Sequence, residues 1–265
     1  AAIDSLGKLY LGGAISRTNR VGGIIYTVDP ATIVNMAEKV INVSCSGDQT
    51  GVVLENGMAY IFYHNDKSIP YSPTIPTNVT PSSNHVSNKV KKMRVFSDLG
   101  YAQILNENKV HIGLTTGIST ILPDEIKAID VSISRQNGDY YIYIIDLSGN
   151  ICIYGISKDL VKVQLVRKIE FPNRIKKFKV DREKFLALDE AGQIYKWEYP
   201  QGIDRNANKR EVMAFPWSEK VVDIDLYDDT YAIVGESGRI AMWGYNGPSD
   251  KGRITDNETL ADLQA

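Results

Sequence analysis

The densest group of reactive side chains in the sequence is the acidic run DIDLYDD at residues 223–229. Four aspartates within seven residues could bind calcium, because carboxylate oxygens are preferred calcium ligands. A calcium loop also needs a central glycine and a terminal acid, and this run has neither. Period-2 alternation places Asp223 and Asp225 on one strand face and starts a turn at Asp228 and Asp229. The run therefore predicts a solvated face and turn, with calcium as the minor alternative.

Histidines and cysteines offer little further chemistry. His64, His85 and His111 lie in no recognisable metal-binding motif. Cys45 and Cys152 are far apart in strand-like segments, which predicts two buried small side chains, with a disulfide as the alternative. No GxSxG, HExxH or phosphate-binding glycine loop is present. The sequence therefore predicts a non-enzymatic protein with no catalytic residue, no metal and no cofactor.

Two basic runs, KVKKMR at 89–94 and RIKKFK at 174–179, could neutralise phosphates. The net charge of −2 argues against a protein whose main ligand is nucleic acid. Simple alternation places Val90 on one strand face with Lys92 and Arg94. Basic side chains along a strand edge discourage edge pairing, which is the favoured interpretation. Binding of DNA or phospholipid is the minor alternative.

These runs belong to an internal repeat that covers most of the 265 residues. Each unit contains a short alternating strand, a hydrophobic strand, a turn and a further strand. Five units occupy 39–63, 89–113, 125–155, 174–199 and 220–245, and a truncated one occupies 1–13. Their turns are 40–52 residues apart, at Gly7, Gly57, Lys109, Gly149, Gly192 and Gly238. This period is typical of propeller blades rather than of helical solenoids.

The stretch LDEAGQIY, which contains Gly192, shows what the turn requires. A type I turn closed by a left-handed residue needs a positive φ, which glycine adopts without a steric clash. Asp189 can accept a backbone hydrogen bond at the start of the turn. Asn108 is the best left-handed residue in the unit that lacks the glycine. Gly192 is thus a turn residue and Trp197 a packing residue.

Two N-terminal segments fall outside this pattern. Residues 29–40 have an Asp-Pro start and are compatible with a helical turn or short helix, which the sequence leaves open. Residues 20–29 could form an outer strand of the first unit.

The units resemble the RCC1 (regulator of chromosome condensation) repeat. VSC at 43–45 and Gly47 stand where that motif places them. Residues 243–244 keep its Trp-Gly pair, and Tyr154 with Gly155 keeps an aromatic-Gly pair. The resemblance implies an all-β propeller whose ring is closed by strands from both chain ends. We expect a single domain over 1–265 with six or seven blades.

The units also depart from the RCC1 pattern. Glu198 replaces the glycine expected after Trp197, and Gln49 lies where the repeat usually has histidine. WD40 and kelch propellers are the alternatives. The sequence disfavours both, because it lacks Trp-Asp and Gly-His pairs and has no double-glycine repeat.

One long insertion, residues 64–88, interrupts the repeats with four prolines and many small polar residues. Insertions of this length are uncommon in compact domains and are often functional or disordered. It is either a variable connection or a partner-contacting loop anchored by Ile69, Tyr71 and Ile75. The resemblance adds a specific possibility, since some RCC1-like proteins use an inserted loop on a small GTPase.

The predicted function is that of a protein-interaction platform, because propellers present loops on a rigid scaffold. Guanine-nucleotide exchange on a Ran-like GTPase is the alternative, and chromatin or DNA binding the third. We expect a protein partner, with nucleic acid disfavoured and no membrane contact. No apolar run reaches the length needed to span a bilayer, and the two thiols favour an intracellular, cytoplasmic or nuclear location.

Overall fold

The structure, a computed structural model, describes most of the chain. The described residues are 1–18, 24–47, 49–63, 77–81, 89–96, 99–136, 139–157, 160, 162–181, 184–198, 211–213, 219–227 and 230–244. They form β-strands and one short 3₁₀ turn. The chain divides into two compact units, Ala1–Ile126 and Lys127–Ala265. The expected single domain over 1–265 stays a prediction.

Unit 1 contains three antiparallel sheets. Sheet 1 has the order β1 (Ala2–Ile3), β2 (Leu9–Thr18), β3 (Ile24–Val34). Sheet 2 has the order β4 (Val40–Ser46), β5 (Gln49–Leu54), β6 (Ala59–Tyr63), β7 (Thr77–Asn78). Sheet 3 comprises β8 (Val90–Phe96), β9 (Gly100–Leu105), β10 (Val110–Leu114) and β11 (Ser119–Ile121), with the 3₁₀ turn Asn106–Asn108 between β9 and β10.

Unit 2 repeats the plan. Sheet 4 comprises β12 (Asp130–Gln136), β13 (Asp139–Ile145), β14 (Ile151–Ile156) and β15 (Val163–Ile169). Sheet 5 comprises β16 (Ile175–Asp181), β17 (Lys184–Asp189), β18 (Ile194–Glu198) and β19 (Glu211–Met213). Sheet 6 comprises β20 (Val221–Tyr227), β21 (Thr230–Gly235) and β22 (Ile240–Gly244). Each sheet is built around one predicted repeat unit, and in sheets 1 to 5 the last strand lies beyond the predicted bounds.

The repeated turn has the predicted conformation. Gly192 has a φ of +89°, and its N–H donates to the Asp189 carbonyl at 3.1 Å. Asp189 Oδ1 accepts the N–H of Gln193 at 2.8 Å, as predicted. In sheet 3, Glu107 and Asn108 have φ values of 58° and 60°, so a two-residue turn with both central residues left-handed replaces the glycine. Asn108 was predicted to be left-handed; Glu107 was not.

A β-bulge corrects the predicted alternation of the basic run. The register of β8 against β9 shifts between Val90 and Lys92, which leaves Lys91 as an extra residue. Val90 therefore packs in one buried cluster with Met93 and Val95, and not on the face of Lys92 as predicted. The same shift occurs at the start of β4, β16 and β20.

The segment with an open helix assignment is largely strand. β3 runs through residue 34 and pairs antiparallel with β2 from Thr18↔Ile24 to Leu9↔Val34. Extended pairing satisfies these backbone groups in the ladder, so the helical alternative is wrong over 29–34. The outer strand predicted at 20–29 is confirmed from Ile24 onward.

The core of unit 2 shows how the sheets pack. Phe185 on β17 stacks on Trp197 of β18 with ring centroids 5.0 Å apart. Tyr143 of β13 meets Phe185 edge to face at 5.2 Å, so sheets 4 and 5 share one apolar cluster. Phe178 on β16 is fully buried in the same cluster. Trp197 is thus a packing residue, as predicted.

Candidate functional site

The predicted contact residues Ile69, Tyr71 and Ile75 lie outside the described residues, as do His64 and His85. Of the insertion, the structure describes residues 77–81. β7 pairs with β6 through Ile61↔Thr77 and Tyr60↔Asn78. The insertion therefore contributes a short edge strand to sheet 2.

Two further hydrogen bonds hold residues 79–80 beside the same strand. The N–H of Val79 donates to the Ala59 carbonyl at 2.9 Å. The N–H of Ala59 donates to Thr80 Oγ1 at 2.9 Å. Thr80 N–H donates to Asn78 Oδ1 at 2.9 Å, which closes a local turn. These three hydrogen bonds fix the backbone of residues 79–80 and the side chains of Asn78 and Thr80 within the insertion.

A buried polar chain connects this segment to sheet 3. Gln103 Nε2 donates to the Val79 carbonyl at 3.0 Å, and Gln103 Oε1 lies 2.8 Å from His111 Nδ1. Because Oε1 is an acceptor, His111 carries its proton on Nδ1, and Nε2 is the remaining acceptor of the ring. Gln103 and His111 are directly opposite each other on β9 and β10. The chain ties two neighbouring sheets together beside the insertion.

These residues border a pocket of about 310 Å³ within unit 1. Its lining comes from the segment after β7 and from strands β9, β10 and β11. The lining residues are Asn78, Val79, Thr80, Pro81, Tyr101, His111, Ser119, Thr120 and Ile121. The volume lies at the lower end of the range of small-molecule pockets, roughly 300–1,000 Å³. The pocket can accommodate a small ligand or one inserted side chain.

The pocket is polar but uncharged. Its lining, as far as the described residues form it, includes hydroxyl, amide and imidazole groups and no Asp, Glu, Lys or Arg. Burial lowers the pKa of His111 from 6.5 to about 4, so the imidazole is neutral at pH 7. Burial also raises the pKa of Tyr101, which keeps its phenol protonated. The site can offer hydrogen bonds but no counter-charge.

Gly113 makes room for one wall of the pocket. Gly113 is paired with Tyr101 across β10 and β9. A Cβ at position 113 would lie 2.3 Å from the Tyr101 ring, so any larger residue would displace it. The Tyr101 and His111 rings lie 5.7 Å apart at 50°. The positions of both rings therefore depend on a glycine.

Sequence reasoning treated the acidic and basic runs separately, but the structure pairs them in unit 2. Lys177 Nζ lies 2.7 Å from Asp223 Oδ1, and Lys179 Nζ lies 2.7 Å from Asp225 Oδ1. Asp223 and Asp225 thus share one strand face, as predicted. Burial alone would raise the pKa of Asp223, but the hydrogen bonds that it accepts from Lys177 and a backbone N–H lower it. Asp228 and Asp229 lie outside the described residues.

The cysteines differ from each other. Both are free thiols, which removes the disulfide alternative. Cys152 is buried as predicted, and burial beside Asp146 raises its pKa to about 11, which makes it a poor nucleophile. Cys45 is exposed, contrary to the prediction, with Sγ 3.6 Å from Thr50 Oγ1.

Among the described residues, no group of three or more His, Cys, Asp or Glu side chains is arranged to hold a metal ion. No helix in the described part of the chain is long and apolar enough to cross a membrane.

Sequence comparisons find no match, since neither a family model nor a curated protein matches the chain. Solved structures are similar in fold. Human WBSCR16 matches with a TM-score of 0.62 and 10% identity, over 87% of this chain and 71% of its own. Prp20 from Saccharomyces cerevisiae, whose structure was determined together with its binding to Gsp1p and histones, matches with a TM-score of 0.61 and 12% identity, over 97% and 75%. The chain is thus similar to these proteins throughout most of its length.

A further match is Prp20, described as yeast RCC1, bound to Kap60, with a TM-score of 0.58 and 12% identity, over 83% of this chain and 59% of that one. At these identities the likeness establishes the fold alone. Six antiparallel sheets agree with six blades, while the final blade number and ring closure stay predictions. Together, the repeated sheets and the similar structures show that the chain has the fold of an RCC1-like repeat β-propeller.

Proposed function

We propose that the protein is a non-enzymatic interaction platform that binds a protein partner through residues 64–88, with Ile69, Tyr71 and Ile75 as apolar anchors. The observation that carries the proposal is the attachment of residues 77–81 of this insertion to two sheets. Val79 accepts a hydrogen bond from Gln103 of sheet 3 and donates one to Ala59 of sheet 2. A recognition loop on a rigid base loses less conformational entropy on binding than one on a mobile base.

The anchors suit a protein partner better than a nucleic acid. Two isoleucines and a tyrosine supply apolar and aromatic contact area of the kind enriched at interface centres. The net charge of −2 gives no general attraction for phosphates. We place the protein in the cytoplasm or nucleus, where a platform of this type would meet such partners.

Substitution of the anchors tests the platform. We expect the triple variant Ile69→Ser, Tyr71→Ser, Ile75→Ser to lose partners that wild type retains in a salt-resistant pulldown. Leu165→Ser is the matched control, because Leu165 is an exposed apolar residue, 49% accessible, on β15. If the triple variant retains the same partners as wild type, or if the control loses them equally, residues 64–88 are not the interaction site.

Guanine-nucleotide exchange on a Ran-like GTPase is the second candidate. It is favoured by the fold likeness to Prp20, whose structural description includes binding to Gsp1p. The test is release of a fluorescent GDP analogue from a panel of small GTPases, with wild type and with residues 66–86 replaced by a Gly-Ser linker. Acceleration that is lost on shortening supports exchange through the loop. No acceleration with any GTPase eliminates exchange, and acceleration that survives shortening eliminates the loop's role in it.

Chromatin or DNA binding is the third candidate and the least supported. Lys177 and Lys179 of one basic run are each paired with an aspartate, so they are already neutralised. Histone binding described for Prp20 keeps a chromatin role open only as an outcome of the pulldown. Recovery of nucleic acid alone, removed by moderate salt, would favour this candidate over the platform.

A further inference from the structure

The pocket bordered by His111 and Tyr101 has a composition that selects ligands by charge. Its polar groups belong to Asn78, Thr80, Ser119 and Thr120 together with the two rings. None of them carries a charge at pH 7, because the imidazole of His111 is buried and neutral. An ion transferred into this pocket would lose hydration and gain no counter-ion.

The hydrogen bonds already formed define what the pocket still offers. His111 Nδ1 is occupied by Gln103 Oε1, so the ring presents Nε2, which is an acceptor. Gln103, with no accessible surface, fixes the orientation of the imidazole from behind through its own bond to Val79. Thr80 Oγ1 already accepts the Ala59 N–H, so its hydroxyl proton is the group with which it can donate. The Thr120 hydroxyl already donates to the Ile121 carbonyl at 3.3 Å. A ligand would therefore donate to His111 and accept from the hydroxyls of Thr80 and Ser119 and the amide of Asn78.

We propose that this pocket binds an uncharged group with both O–H or N–H donors and carbonyl or hydroxyl acceptors. Amide side chains of peptides and the hydroxyls of sugars share this chemistry. The walls are preorganised, because Gln103 holds His111 and the absence of a side chain at Gly113 admits the Tyr101 ring. The proposal goes beyond the platform function and does not depend on it, because binding is measured without a partner protein.

The decisive comparison uses two probes of nearly equal shape. These are the α-amides of N-acetylglutamine and N-acetylglutamate, which differ only in the charge of the side chain at pH 7. Binding to the full chain is followed through the ring signals of His111 by NMR, assigned by their loss in His111→Asn. We expect saturable shifts with the glutamine probe and at least tenfold weaker binding of the glutamate probe. Equal or tighter binding of the glutamate probe would overturn the proposal.

A methyl glucoside distinguishes the two sources of the ligand chemistry. Saturable shifts with the glutamine probe and none with the glucoside identify a peptide amide as the ligand class. The reverse result identifies a sugar, and both results support an uncharged ligand. Absence of saturable shifts with the glutamine probe and also with the methyl glucoside contradicts the proposal.

A gain-of-function variant locates the binding in this pocket. Ser119 is exposed on β11 and lines the pocket, so Ser119→Asp adds a carboxylate with little cost to packing. We expect Ser119→Asp to weaken the glutamine probe and to bind the α-amide of N-acetyllysine at least tenfold more tightly than wild type does. Ser119→Asn is the uncharged control and should retain the wild-type preference. If Ser119→Asp leaves the preference unchanged, the probes bind elsewhere and the proposal fails.

Discussion

The first strands of neighbouring sheets meet in both units, but different groups hold them together. In unit 1, β4 faces β8, and Asn42 Oδ1 and Ser44 Oγ accept the backbone N–H groups of Met93 and Val95 at 2.9 and 3.2 Å. We call this the amide seam. In unit 2, β16 faces β20 through the ion pairs Lys177–Asp223 and Lys179–Asp225, which we call the ionic seam.

The contrast is informative because the residues are equivalent in position. Asn42 and Lys177 each follow the bulge at the start of their strand, and Ser44 and Lys179 lie two residues further. The amide seam satisfies backbone donors that water reaches poorly, since Met93 is fully buried. The ionic seam joins side chains that are 31–66% accessible and could be solvated separately. The same arrangement of first strands is thus held by side chain-to-backbone hydrogen bonds in unit 1 and by ion pairs in unit 2. We expect the two kinds of interaction to contribute unequally to stability.

The largest effect should come from the buried apolar position that β8 and β16 have in common, three residues after the start of each strand. Phe178 on β16 and Met93 on β8 have no accessible surface. We expect Phe178→Ala to lower the free energy of unfolding by about 3–5 kcal/mol and Met93→Ala by about 2–5 kcal/mol, since both leave cavities. Denaturation in urea measures the change. Met93→Leu, which conserves volume, should cost less than about 1.5 kcal/mol, and an equal cost would contradict the packing account.

The second largest effect should come from lowering the pH, which acts on a buried histidine of unit 1. His111 in unit 1 has a pKa of about 4 in the folded chain against 6.5 when exposed, so it binds its proton mainly on unfolding. The free energy of unfolding should therefore fall as the pH drops from about 6.5 to about 4, by on the order of 3 kcal/mol, and the contribution of His111 to this fall should end below about pH 4. Urea denaturation at a series of pH values measures this.

The matched variant for that experiment is His111→Gln, which removes the titrating group. Its stability should change less than that of wild type between pH 6.5 and 4. Asp223 of the ionic seam has a folded pKa below the usual 3.8, so its contribution is present above that pH and is lost at lower pH. If His111→Gln keeps the full wild-type dependence above pH 4, the buried histidine is not its source.

A single polar deletion should separate the seams directly. Asn42→Ala removes the acceptor for the buried Met93 N–H, and an unsatisfied buried donor costs about 1–3 kcal/mol. Asn42→Asp preserves an acceptor and should recover most of the loss. A cost for Asn42→Ala no greater than that of an exposed substitution would mean that water replaces the amide.

The smallest effect should come from the ionic seam. Lys179→Met keeps much of the side-chain volume and removes one ion pair whose aspartate is 66% accessible. We expect a loss below about 1 kcal/mol, since exposed ion pairs contribute little. High salt should reduce the difference from wild type, because it screens the pair. A loss as large as that of Asn42→Ala would make the two seams equivalent and end the distinction.

Much of the fold could be predicted from the sequence, because turns and strand alternation depend on residues that are close together in the chain. The turn at Gly192 was predictable from LDEAGQIY, since a positive φ and an Asp acceptor depend on neighbouring residues only. The bulge at Lys91 was not, because nothing in KVKKMR marks which residue is extra. The exposure of Cys45 was not predictable either, because Cys45 occupies the position in β4 that the buried Val95 fills in β8.

Only some of the contacts around the candidate pocket could be predicted from the sequence. A hairpin with a three-residue loop at 106–108 places Gln103 opposite His111, so the buried pair could have been found from the hairpin register. Its bond to Val79 could not, because 24 residues separate Gln103 from Val79 and no local pattern joins them.

The sequence by itself determined the repeats, the strands, the turn glycines and hence the fold class, since each follows from contacts between residues close in the chain. The tertiary structure alone decided that one basic run meets the acidic run and that Asn42 accepts a hydrogen bond from a neighbouring strand. It also decided that Gln103 joins His111 to Val79 beside the pocket. Those outcomes depend on which strand faces which. Packing between sheets sets that arrangement, and residue order within a sheet does not encode it locally.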